Sequence, residues 1–277
     1  MASPVTGNEA RAQERFLRDL SRRGVRGGTI DPHRAMLRLP NPGRRLAASA
    51  ALALGVLAGY LALLPAIGRL WLLIATEVHA RIGMPGAIVE RPEAVLGLIR
   101  FAVPTITFDG VVPDRNSLLI TGAVAAVLLL ASAGLRGRWL PLAYFVRAVV
   151  VVLGTAILYF SLWPDRYPYR LPQYLVGHLE AGLVMTGLVP VVLGLTFYLF
   201  DLTVARKLLL TALIMGHLVV FLPLQGLLHA WLVSEWTLVA MPVAFLLFGL
   251  LLDVMVFVAF YGWGMSWPSS LWEEARR

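Results

Sequence analysis

The side chains best able to do chemistry in this sequence interrupt long apolar runs. Arg147 and Asp253 each stand inside such a run. An ionisable group at mid-bilayer costs roughly 2.5–3.5 kcal/mol on insertion scales, so each needs a partner or a purpose. Arg147 follows Leu140 by seven residues, and Asp253 precedes Trp263 by ten. At 1.5 Å per residue they lie about 10 and 15 Å from the same side of a membrane. The expectation is one buried ion pair that fixes helix packing, with Arg147 reaching toward the interface. A proton or ion relay is the alternative.

A second group gathers near the opposite side. His178, Glu180, His229 and Glu235 fall at similar heights near the ends of two runs. Two imidazoles and two carboxylates at one level could bind a divalent metal or shuttle protons. His178 and Glu180 are two residues apart, however, and point to different sides of a helix. The expected reading is therefore a hydrogen-bonded polar cluster at the interface, satisfied by water and holding no metal. His217 lies mid-membrane, twelve residues from His229. That separation is about 18 Å, too far for both to ligate one haem. No other run supplies a second histidine at the depth of His217. No cofactor and no catalytic residue is expected. The chain has no cysteine, which removes disulfides, thiolate metal sites and cysteine nucleophiles.

These residues must be positioned by membrane helices. Of 277 residues, 58% are hydrophobic and 14% charged, against roughly 25% charged in a soluble domain. So few charges cannot cover a water-facing surface. The fold class expected is an all-α integral membrane protein of six transmembrane helices. The apolar runs are 46–68, with 70–78 continuing or lying flat at the interface, then 118–135, 140–162, 174–200, 208–232 and 236–263. Crossing the hydrocarbon takes about 20 residues, so each run suffices for one span. Between the first two lies a loop, 79–115. There, Arg100 to Phe108 alternates with β-branched residues around Pro104, and Asp109-Gly110 is a turn signal. A short hairpin or cap is expected. Pro190, Pro223 and Pro242 sit within spans, where they free backbone carbonyls.

The formal charge is +8, and all but Lys207 of the 24 basic residues are Arg. Ten Arg and four acids lie in residues 1–45. This basic block abuts a hydrophobic run, so topology and anionic lipid explain it and nucleic acid is not an expected partner. Three parts follow: an Arg-rich cytoplasmic tail over 1–45, a six-helix domain over 46–264, and a cytoplasmic tail over 265–277. Both termini are placed inside a bacterial inner membrane, with the loop 79–115 outside. In the tail, Ala10 to Arg23 can form a basic amphipathic helix presenting Phe16, Leu17 and Leu20.

The order of an interfacial helix, an outer loop, a span, a basic turn and a span, followed by His178-Leu179-Glu180-Ala181-Gly182 at an outer helix start, resembles in layout the exosortase and archaeosortase membrane transpeptidases. The resemblance covers roughly residues 70–200. It implies a nucleophile near the start of the span after the loop. That family uses Cys there, whereas this chain reads Asp114-Arg115-Asn116-Ser117-Leu118.

Three functions are carried forward. The first is a non-catalytic subunit or scaffold of a larger membrane complex, using lipids and other membrane subunits as partners. Small residues such as Gly122, Ala123 and Ala126 would allow close helix contact. The second is an ion- or proton-coupled small-molecule transporter using Arg147, Asp253 and His217. The third is a membrane-embedded enzyme of exosortase-like layout without the Cys.

Overall fold

The computed structural model describes residues 15, 42–95, 99–198 and 202–267. The amphipathic segment Ala10–Arg23, apart from Arg15, and the last ten residues lie outside that set. Six helices are long and apolar enough to cross a membrane, and the protein is a multi-pass membrane protein. They are α1 (Pro42–Ile82), α2 (Arg115–Gly134), α3 (Leu140–Leu162), α4 (Leu171–Phe197), α5 (Val204–Trp236) and α6 (Leu238–Met265).

α1 differs from expectation in being one continuous helix of 41 residues, with Pro65 inside it. At 1.5 Å per residue it is about 62 Å long, twice the hydrocarbon thickness of ~30 Å. Its C-terminal part forms a post for the segment that follows. The loop after it folds onto this post as an antiparallel hairpin of β1 (Ile88–Val95) and β2 (Ile99–Ile106). The strand expected around Arg100–Phe108 is β2, and Asp109-Gly110 follows it rather than forming the hairpin turn. β2 buries Phe101, Val103 and Ile106. The post and β2 touch backbone to side: a Cβ added at Gly68 would lie 2.6 Å from the Ala102 carbonyl oxygen. We call this side the hairpin end.

The segment after β2 is stitched to the helix starts. The Leu171 N–H donates to the Asp109 carbonyl at 3.2 Å, and the Leu238 N–H to the Val111 carbonyl at 3.0 Å. Asp114 then caps α2 by accepting from the Ser117 N–H at 2.8 Å, as an N-cap should. Pro is tolerated in the first turns of α3 and α4, where its missing N–H is not needed.

Between lipid-immersed helices apolar burial gives little driving force, so close packing decides. Gly182 of α4 seats the Leu222 side chain of α5, and Gly194 receives Ala53 of α1. The main core joins Tyr60, Leu64 and Trp71 of α1 with Leu183 of α4 and Leu218 and Leu222 of α5. Pro223 removes the N–H that would bond the Val219 carbonyl. Trp71 Nε1 replaces it, donating to that carbonyl at 2.7 Å. The proline-freed carbonyl thus anchors α1 to α5 and does not open to a cavity.

Gly122, Ala123 and Ala126 do not serve packing within the chain. A Cβ at Gly122 would meet nothing within 4 Å, and both alanines are exposed. The buried small residues of α2 are Ala125 and Ser132.

Candidate functional site

α6 is a composite span and, among the described residues, the one with a π-helical stretch. It opens with a 3-10 turn (Leu238–Ala240) and a single α turn, runs through a π-helical stretch (Ala244–Leu250), and continues as α-helix (Leu251–Met265). A π segment inserts extra residues per turn and re-aims side chains, and such segments are frequent at functional sites. Gly249 lies in it. A Cβ at Gly249 would contact His229 Cε1 at 3.5 Å and His178 Cε1 at 3.6 Å. The absent side chain leaves room for two imidazoles.

Those rings meet. His178 of α4 and His229 of α5 have centroids 5.2 Å apart, and Tyr174 stacks on His178. The Tyr174 hydroxyl lies 2.8 Å from His229 Nδ1. If the phenol donates, the imidazole proton sits on Nε2; the other tautomer reverses the bond. His178 is 7% exposed and His229 not at all. Interfacial water was expected to satisfy this pair, but the bundle encloses it.

One helical turn along α5 from His229 lies Gln225, whose Nε2 donates to Asp253 Oδ1 at 2.8 Å. Both residues are buried, at 2% and 3% exposure. Farther along the same helix, His217 stacks on Phe221 and lies within electrostatic reach of Asp253. Residues 217, 221, 225 and 229 form a single i, i+4 row that winds slowly round α5. The row, with Tyr174 and His178 on one side and Asp253 on the other, makes a polar seam. It descends from the hairpin end about 18 Å into the bundle.

The seam is poorly satisfied by the chain itself. Seven buried side-chain atoms among the described residues have no hydrogen-bond partner. Four belong to the seam: Nε2 of His178, His217 and His229, and Oε1 of Gln225. An unsatisfied buried polar group costs roughly 1–3 kcal/mol, and net stabilities are only about 5–15 kcal/mol.

Two expectations are corrected. Arg147 and Asp253 are not brought together: Arg147 Nε donates to Ser132 Oγ at 3.3 Å, and its guanidinium lies over Tyr144. Both partners belong to the α2–α3 pair, so Arg147 points away from α6. The four-residue polar cluster also divides. Glu180 is exposed on another side of α4, and Glu235 is exposed beyond the seam at the end of α5. Six residues separate His229 from Glu235, turning the carboxylate away from the imidazole pair. Among the described residues no three His, Asp or Glu side chains converge as a metal site.

Sequence reasoning missed Tyr174, Gln225 and Gly249. The signal was the i±4 neighbourhood: Tyr174 precedes His178 by four, Gln225 precedes His229 by four, and Gly249 precedes Asp253 by four. No family model matches the chain, and no curated protein or solved structure shows significant similarity to it.

Proposed function

We propose that the protein is an ion- or proton-coupled carrier of small molecules in a bacterial inner membrane, with the seam as its coupling site. The observation that supports this reading most is the buried Gln225–Asp253 bond in line with the His178–His229–Tyr174 group. An ionisable residue within a membrane is by default a marker of an ion pathway. Imidazoles can take and pass a proton near neutral pH. In this reading both termini are cytoplasmic, as the ten N-terminal Arg argue. The hairpin end then faces outward, and the seam loads from that side.

The test is charge movement on solid-supported membranes carrying the reconstituted protein. Panels of amino acids, sugars and organic acids are perfused in acidic and in alkaline buffer. At least one panel should give a pH-dependent current that Asp253→Asn abolishes. Silence from every panel, with Asp253→Asn behaving as wild type, would remove the carrier reading.

A second reading, a subunit of a larger membrane complex, has its own support. Gly122, Ala123 and Ala126 leave a smooth surface of α2 open on the outside of the bundle. Small residues let another helix approach closely. Stoichiometric partners in native mass spectrometry, lost with Gly122→Leu, would favour it.

A further inference from the structure

Away from the seam, a second site opens at the hairpin end between α2, α3 and the corner joining α5 to α6. It is a cavity of about 300 Å³, at the lower limit of small-ligand pockets (roughly 300–1,000 Å³). Its lining is graded along the membrane normal. Ser117, Glu235 and Thr237 lie nearest the hairpin end, Ile120 and Thr121 follow one helical turn further along α2, and Val124 and Leu153 complete the apolar side. Ser117 and Val124 are seven residues apart on α2, so the gradient extends over about 10 Å.

The polar part offers acceptors. Glu235 is an exposed carboxylate with no ion-pair partner among the described residues. The Thr121 hydroxyl donates to the Ser117 carbonyl at 2.7 Å, so it presents lone pairs to the groove. The Thr237 hydroxyl is buried with no hydrogen-bond partner. Thr237 also holds φ 67° and ψ 178°, a conformation almost confined to glycine.

We propose that this groove binds an aminophospholipid of the leaflet at the hairpin end. The headgroup ammonium, with three donors and no acceptor, is received by the Glu235 carboxylate and the Thr121 hydroxyl oxygen. The upper part of one acyl chain lies along Ile120, Val124 and Leu153. The charge selects the ligand. A carboxylate repels an anionic headgroup, and a trimethylated ammonium has no N–H to give to the hydroxyl. None of the seam residues lines this groove, so the site stands whether or not the carrier reading does.

The test is native mass spectrometry of the delipidated full-length protein titrated with dioleoyl phosphatidylethanolamine, phosphatidylcholine and phosphatidylglycerol. Wild type should retain phosphatidylethanolamine at least about tenfold more tightly than the other two, about 1.4 kcal/mol per factor of ten. Glu235→Gln, at an exposed position that does not threaten folding, should level phosphatidylethanolamine with phosphatidylcholine. Val124→Trp should reduce adducts of all three by filling the chain slot. Equal retention of the three lipids by wild type overturns the proposal, as does a phosphatidylethanolamine preference that survives Glu235→Gln. Competition by glycerophosphoethanolamine as effective as by the whole lipid also overturns it, because the site would then read a soluble amine.

Discussion

The α2–α3 pair and the α4–α5 pair are drawn from similarly apolar sequence, yet they make opposite use of polar groups. α2 buries only Ala125 and Ser132, whereas α4 and α5 bury thirteen residues each. In the first pair the charged group, Arg147, remains half-buried and is answered locally by Ser132 and the Tyr144 ring. A long side chain on a lipid-facing helix can reach a neighbour or the interface, so it needs no dedicated site. In the second pair His178, Gln225 and His229 are buried, as is Asp253 on the neighbouring α6, with Tyr174 half-buried beside them. Tyr174, His178, Gln225, His229 and Asp253 answer one another incompletely. Enclosure is what turns an intramembrane polar residue from a tolerated one into a candidate for function.

The comparison can be broken by removing polar partners from each region and measuring thermal unfolding in detergent. The largest effect is expected at the Gln225–Asp253 bond. Gln225→Leu leaves a buried carboxylate without that donor, and a hydrogen bond to a charged group contributes about 1.5–3 kcal/mol. Adding Asp253→Leu should recover part of the loss, because removing both partners leaves no orphan. Additive losses would show that the two side chains do not couple.

The next effect concerns how the hairpin post is held. Trp71→Phe strands the Val219 carbonyl and should lower stability by about 1–2 kcal/mol. Pro223→Ala supplies the missing N–H, so the Trp71→Phe loss should shrink in that background. An unchanged loss would mean that Trp71 acts through packing alone.

Thr237→Gly should move stability the other way. Backbone strain of this kind costs on the order of 1–3 kcal/mol, and glycine relieves it. A melting temperature that falls would show that the Thr237 side chain contributes more than its conformation costs. The smallest effect is expected for Arg147→Leu, within about 1 kcal/mol, since its bond to Ser132 is only partly buried and long, at 3.3 Å. A large loss there would erase the contrast between the two helix pairs.

Much of the architecture was readable because a lipid solvent imposes length and apolarity together. The run 140–162 coincides with α3, four others shift by a few residues at their ends, and the first, 46–68, extends to Ile82 in α1. The hairpin was half readable. β2 shows β-branched alternation, whereas Glu90, Arg91, Pro92 and Glu93 make β1 look like loop. An exposed edge strand carries such residues because they discourage further pairing.

For the site, depth was readable and direction was not. Counting residues along a helix gives height at 1.5 Å per step, which placed His178 level with His229. It also placed Arg147 and Asp253 in the same half of the bilayer. The direction each side chain takes depends on how helices are rotated against one another, and single-helix spacing does not contain that. Arg147 faces Ser132, and Asp253 faces Gln225. The π-helical stretch adds a phase shift that no residue in Ala244–Leu250 announces.

The most direct test of the central claim runs the same charge-movement recording on wild type, Asp253→Asn and Arg147→Gln, with equal amounts of folded protein reconstituted. The account predicts a pH-dependent current in wild type, the same current in Arg147→Gln, and none in Asp253→Asn. Loss of current in Arg147→Gln with Asp253→Asn unaffected would contradict it and move the functional site to the α2–α3 pair.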